Sequence, residues 1–158
     1  MFSPALGGGG LMDVGVYPVS LSLSLLGEPT EIASLGILGD TGVDENVGIV
    51  MKFANGAVAV NTTSIQATTP QRATIIGTKG RIEIPNWWSS KSLTINAGGK
   101  TDTILFDHPG EGFQFEAQHV AECLRSDLKE SPIVTHEHTL RVMRTLETIC
   151  GQLGVVYP

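Results

Sequence analysis

Asp13 and Tyr17 are the residues whose types and spacing most directly suggest chemistry. Four apart, they share one face of a helix, a carboxylate beside a phenol, directly after the cluster Gly7-Gly8-Gly9-Gly10, which lets backbone or a ligand approach closely. A phenol ordinarily ionises near pH 10, and a neighbouring carboxylate works against that ionisation. Proton exchange near neutrality therefore needs a cation, brought by a partner domain or a cofactor. The competing reading is structural: Asp13 caps the helix and Tyr17 is a half-buried packing residue. Three further residues are candidates to bind a ligand. Trp88 belongs to a pair of rings, Trp87-Trp88, on a loop between Pro85-Asn86 and Ser89-Ser90, where it lines a pocket or covers a sheet edge. Phe113 opens a later helix, and His108 lies in the loop Asp107-His108-Pro109-Gly110.

Other arrangements fail on spacing. The glycine cluster runs into Leu11, Met12 and Asp13 without the third glycine of a dinucleotide fingerprint, so no cofactor-binding residue is expected in this chain. Gly99-Lys100-Thr101 imitates the end of a phosphate-binding loop, but Thr94 stands where the first glycine belongs. His136 and His138 diverge by about 200° on a helix, whereas a zinc pair needs a spacing of four, and no metal site is expected. Cys123 and Cys150 fall near apolar helical stripes and read as small buried thiols rather than nucleophiles.

The elements that must position these side chains follow from periodicity. Residues 11–26 fit both a strand alternation with serines and a helical face. Gly27 and Pro29 behind them favour a helix, kinked between Val14 and Pro18. Short β-rich runs follow at 31–38, 47–53, 57–65, 73–76, 81–84, 93–96 and 103–106. Val47, Ile49, Met51 and Phe53 share one side, and Asn55-Gly56 is a tight-hairpin signal. Gly77-Thr78-Lys79-Gly80 and Ala97-Gly98-Gly99-Lys100 predict two more hairpins, hence a mostly antiparallel sheet. Phe113, Ala117, Val120, Ala121, Leu124 and Leu128 draw the apolar stripe of one late helix. Thr135 caps a second, with Leu140, Met143, Leu146, Ile149, Cys150 and Leu153 inward and Glu137 four before Arg141. Both helices need a floor, so the fold class is α+β, with helices on one face of the sheet and the opposite face free to meet another subunit.

Composition bounds the rest. Of 158 residues 41% are hydrophobic and 16% charged, enough for a sizeable core and far from a disordered chain. The net charge of −6 supplies no basic stripe, which excludes nucleic acid as a partner. Two cysteines make no disulfide scaffold, no apolar stretch reads as a bilayer span, and no secretory signal is visible, so a cytoplasmic setting is expected. A domain that starts almost at once in glycines reads as a piece of a longer protein.

The run Gly8-Gly9-Gly10-Leu11-Met12-Asp13-Val14-Gly15-Val16-Tyr17-Pro18 resembles the Gly-Gly-Gly-x-Leu-x-Asp-x-Gly-x-His/Tyr signature of the Gfo/Idh/MocA oxidoreductases. Leu26-Gly27-Glu28-Pro29, Phe53-Ala54-Asn55-Gly56-Ala57, Gly77-Thr78-Lys79-Gly80-Arg81-Ile82 and Phe113-Gln114-Phe115-Glu116 are similar to that family's C-terminal domain, especially its dihydrodiol dehydrogenase-like branch. The resemblance implies a glyceraldehyde-3-phosphate dehydrogenase-like C-terminal fold over residues 1–158. It further implies a substrate and oligomerisation domain, whose N-terminal Rossmann partner, absent from this chain, binds NAD or NADP and supplies a lysine from a Glu-Lys-Pro motif. By that motif Tyr17 falls at the acid/base position and Asp13 at the carboxylate that orients substrate. The lysine and oxidised nicotinamide would then be the missing cation. The alternative is a stand-alone binding or dimerisation module of the same fold without chemistry.

Overall fold

The computed structural model describes residues 1–158, in the order helix, seven strands, two helices. A 3₁₀ turn, Pro4–Leu6, precedes a π-helical turn, Leu11–Gly15, which runs directly into α1, Val16–Leu26. Strands β1 (Pro29–Leu38), β2 (Asp44–Phe53) and β3 (Val58–Ser64) form one antiparallel sheet. Strands β4 (Arg72–Gly77), β5 (Gly80–Pro85), β6 (Ser92–Ala97) and β7 (Lys100–Leu105) form a second. Helices α2 (Phe113–Arg125) and α3 (His136–Leu153) follow. The chain divides into two units, Met1–Thr69 with Pro132–Pro158, and Pro70–Ser131. The class is α+β with antiparallel pairing throughout, as expected, but the strands are shared between two sheets.

In the first unit the inward face of β2 supplies Val47, Ile49, Met51 and Phe53 to the core, all at most 4% exposed. Leu11, Val19 and Leu23 come from the first helix, and Val142, Leu146, Ile149 and Cys150 from α3. The run Pro4–Leu26, 23 residues with an 18-residue window of mean hydropathy 1.3, is long and apolar enough to cross a membrane by length and composition, which corrects the expectation that no stretch is. Its Leu11, Val19 and Leu23 are nevertheless at most 1% exposed within the fold.

The helix reading of 11–26 holds, and the expected irregularity takes the form of the π turn just ahead of Pro18, whose ring removes one backbone donor from the ladder. The serines that suggested a strand fold back on their own helix: Ser22 Oγ donates to the Pro18 carbonyl at 2.9 Å and Ser24 Oγ to that of Ser20 at 2.8 Å. The hairpin after β2 closes on three residues rather than two. Phe53 N–H donates to Ala57 O, Gly56 N–H donates to Phe53 O, and Gly56 alone takes positive φ, +83°. The other two hairpins close as expected, Gly77 opposite Gly80 and Ala97 opposite Lys100.

Two helix faces differ from the periodic reading. On α3, Val142 and Thr145 are buried while Leu140 and Met143 are 49% and 43% exposed, so the inward stripe is rotated. Glu137 pairs with Arg144 at 3.2 Å, two turns on, instead of Arg141. On α2 only Cys123 is buried, and Phe113, Val120 and Leu124 stand exposed. The expected floor of the three-stranded sheet is covered by α1 and α3, both packed in the first unit. Leu146→Ala removes a fully buried side chain where α3 meets the core; chemical denaturation should show it less stable by about 2–5 kcal/mol.

Candidate active site

The first helix starts at Gly10, which has no side chain to cap it; the Gly8 and Gly9 N–H groups donate to the Ser3 and Met1 carbonyls, and the Leu11 N–H needs an acceptor from elsewhere. The missing acceptor comes from β2: Asp44 Oδ2 accepts the Leu11 N–H at 2.6 Å, and Asp44 is fully buried. The glycines make this approach sterically feasible. A Cβ on Gly9, whose φ is +123°, would lie 2.4 Å from Asp44 Oδ1, and one on Gly10 would lie 3.2 Å from Oδ2. From the C-terminus, Tyr157 Oη donates to the Gly8 carbonyl at 2.9 Å, and Thr63 Oγ1 on β3 reaches the Gly10 carbonyl at 3.5 Å. One turn further, a Cβ on Gly15 would meet Thr63 Cγ2 at 3.2 Å.

Burial raises the Asp44 carboxyl above its ordinary value, and the N–H groups of Leu11, Asp44 and Gly10 offset only part of that rise. Tyr157 is pushed up to about 12, first by burial, then by Cys150 and by Asp44. The Cys150 thiol is likewise raised, by burial first and by Asp44 second. The Gly8–Gly10 run is therefore no phosphate cradle: a buried carboxylate already occupies the helix head where a diphosphate would sit. This glycine run does not fit the nucleotide's phosphates.

Beyond this anchor the helix turns its other side to solvent. Asp13 is exposed and Tyr17 is 57% exposed, more open to solvent than the half-buried packing residue of the structural reading. Four residues advance a helix to within about 40° of the same face, which keeps the pair on one side. The other candidates belong to the second unit. Trp88 is 51% exposed in a 3₁₀ turn, Trp87–Ser89, after Asn86 at φ +44°, and Phe113 is 67% exposed at the first position of α2. His108 is half-buried, edge-on to Phe115 with ring centroids 5.5 Å apart. Its Nε2 lies 3.3 Å from the Ser90 carbonyl, which can only accept, so Nε2 carries the proton and Nδ1 is left without a partner. Both cysteines are free and buried.

Sequence reasoning missed Asp44 and Tyr157. The alternation through Val47, Ile49, Met51 and Phe53 places residue 44 on the outward side. A register shift, in which Ile37 faces Asn46 but Leu38 faces Asp44, turns it inward. Only the glycine run hinted that something had to come close.

An α+β domain of two antiparallel sheets, with an exposed carboxylate and phenol at a buried helix head, is the class these features define. The model of the GFO/IDH/MocA C-terminal domain matches residues 1–83, and the chain belongs to that family. Trans-1,2-dihydrobenzene-1,2-diol dehydrogenase of Xenopus tropicalis is 38% identical over 164 residues, covering 97% of this chain and 49% of that protein. The Mus musculus protein of the same name is 34% identical over 163 residues, covering 96% and 48%. The chain thus spans about half the length of the curated relatives it matches. Aldose-aldose oxidoreductase from Caulobacter crescentus, solved with glycerol, aligns at TM-score 0.79 with 24% identity, over 92% of this chain and 45% of that one. A 3-ketoreductase from Actinomadura kijaniata in complex with NADP and TDP-benzene aligns at 0.78 with 19% identity, over 93% and 46%. At these identities the structures establish the fold.

The raised groups set an alkaline limit. Tyr157 ionises at 10.0 in an unfolded chain and at about 12 here, so the protonated hydroxyl favours folding. Its stabilisation is complete below pH 10 and lost as pH climbs through 12. Cys150 acts with the same sign from pH 9.0 upward. Denaturation curves should show stability falling between pH 9 and 12, and Tyr157→Phe should flatten the part above pH 10.

Proposed function

We propose that this chain is the substrate side of an NAD(P)-dependent oxidoreductase acting on a sugar, polyol, cyclic diol or similar hydroxylated small molecule. The exposed Asp13 and Tyr17 on the anchored helix carry this reading, in a chain 38% identical to a diol dehydrogenase. The nucleotide is assigned to an N-terminal Rossmann domain of the whole protein, because Asp44 fills the glycine-rich helix head here. A bound nicotinamide would supply the hydride acceptor or donor for the carbinol carbon. Tyr17 Oη takes the substrate hydroxyl proton in the oxidative direction and gives it back in the reductive one, while Asp13 orients that hydroxyl. The cation that makes a phenol useful near neutrality is assigned to a lysine of the nucleotide-binding domain. Trp88, Phe113 and His108 are the substrate-binding candidates of the second unit. The two free thiols are the reason to place the activity in the cytoplasm.

The outer face of the three-stranded sheet supports self-association. Leu35, Ile37, Val58 and Val60 are 84%, 63%, 59% and 71% exposed on it, and Val50 stands between Ala33 and Val60 in the middle row. Val60→Glu places a charge in this patch and should lower the oligomeric state in sedimentation without loss of helix or strand content.

In the whole protein, Tyr17→Phe should leave cofactor KM nearly unchanged and lower kcat by about 10²-fold or more. Unimpaired turnover would remove Tyr17 from the reaction.

A further inference from the structure

We propose that Asp44 is a positioning residue for Tyr17: delivered from β2, its carboxylate fixes the turn of helix that presents the phenol to substrate. The inference rests on the assignment of Tyr17 to proton transfer. It starts from where the cap comes from. Helix heads are ordinarily capped by a Ser, Thr, Asn or Asp one to three residues away, at the surface and with little desolvation. Here the local residues are glycines, and the acceptor for the Leu11 N–H arrives from 33 residues downstream with no exposure to water. A Cβ on Gly9 would collide with that carboxylate, and one on Gly10 would press tightly against it.

Such an arrangement is a poor way to gain stability alone. Desolvating a carboxylate costs more than a single hydrogen bond to it returns, and Asp44 Oδ1 has no partner of its own. What it does supply is a fixed origin for the helix. Leu11 is held by the carboxylate, Gly10 and Gly15 sit against Thr63 on β3, and Gly8 is tied to Tyr157. Asp13 follows Leu11 by two residues and Tyr17 by six, inside one uninterrupted helical run. A tilt or slip at Leu11 therefore moves the phenol directly, and misplacement by about 1 Å can cost about 10²-fold in rate.

The test is a double-mutant cycle in the whole protein, with Asp44→Asn, Tyr17→Phe and the pair. Asp44→Asn keeps the size and one acceptor oxygen. It should lower kcat about tenfold or more, leave cofactor KM unchanged, and speed hydrogen exchange at the Leu11 amide. In the Tyr17→Phe background the same substitution should change kcat less than about twofold, because its effect is transmitted through the hydroxyl already removed. An equal loss in both backgrounds, or wild-type kcat despite a faster Leu11 amide, overturns the positioning role while leaving the proton-transfer reading intact. A fully active Tyr17→Phe sinks that reading and the inference with it. Should Asp44→Asn fail to fold, Tyr157→Phe, which frees the Gly8 carbonyl, runs the same cycle with an expected loss of about threefold, and additivity there is equally decisive.

Discussion

A carboxylate removed from water, held against the bare head of a helix by N–H groups, is the constraint from which the first unit takes its geometry. Asp44 belongs to the strand that supplies most of the core, and Leu11, whose N–H it accepts, is itself fully buried in that core. Sheet and helix are thus joined by polar contacts inside an apolar interface, with Thr63 on the Gly10 carbonyl and Asn61 on Ser22 beside the Asp44 contact. The Asp44 contact tolerates no slip, because a buried acceptor cannot exchange its partner for water. Asp44, Tyr157 and Cys150 are each raised first by their own burial, and Asp44 adds to the rise of both other groups.

The glycine run acquires a specific meaning from this contact. A run of glycines before a helix suggests a phosphate site, and here the same absence of side chains admits a carboxylate from within the protein. The two uses exclude each other electrostatically, because an anion already sits where the second anion would bind. Division of labour between a nucleotide-binding domain and this one is therefore consistent with what lies at its own helix head. Tyr17 and Asp13 are left to face outward from a helix whose other side is immobilised.

The proposed self-association surface and the helix that carries Tyr17 lie on opposite sides of the same sheet. The inward face of β2 packs under the helix that carries Tyr17, and the outward face bears Leu35, Val50 and Val60 in the open. Because side chains alternate along a strand, the residues from Val47 to Phe53 present a core face and an outer apolar face at once. The exposed apolar residues of α2 pose the same question for the second unit, which by itself covers only Cys123.

Much was legible in the residue order itself. The apolar alternation of β2, the glycine hairpins, the Thr135 cap and the adjacency of Asp13 and Tyr17 are local patterns, set by side-chain periodicity and backbone sterics, and they needed no distant partner. Four features did depend on distant partners. The division of the strands into two sheets and the exposure of the α2 stripe depend on which surfaces meet, which no local pattern encodes. The rotation of the α3 stripe onto Val142 and Thr145 depends on the angle at which the helix meets the sheet. The inward turn of Asp44 depends on a one-residue register shift that reverses the alternation just where the chain enters β2. The chain order fixed which groups could do chemistry, and only long-range packing decided which acidic side chain would hold the helix that displays them, because a cap drawn from 33 residues away leaves no periodic trace.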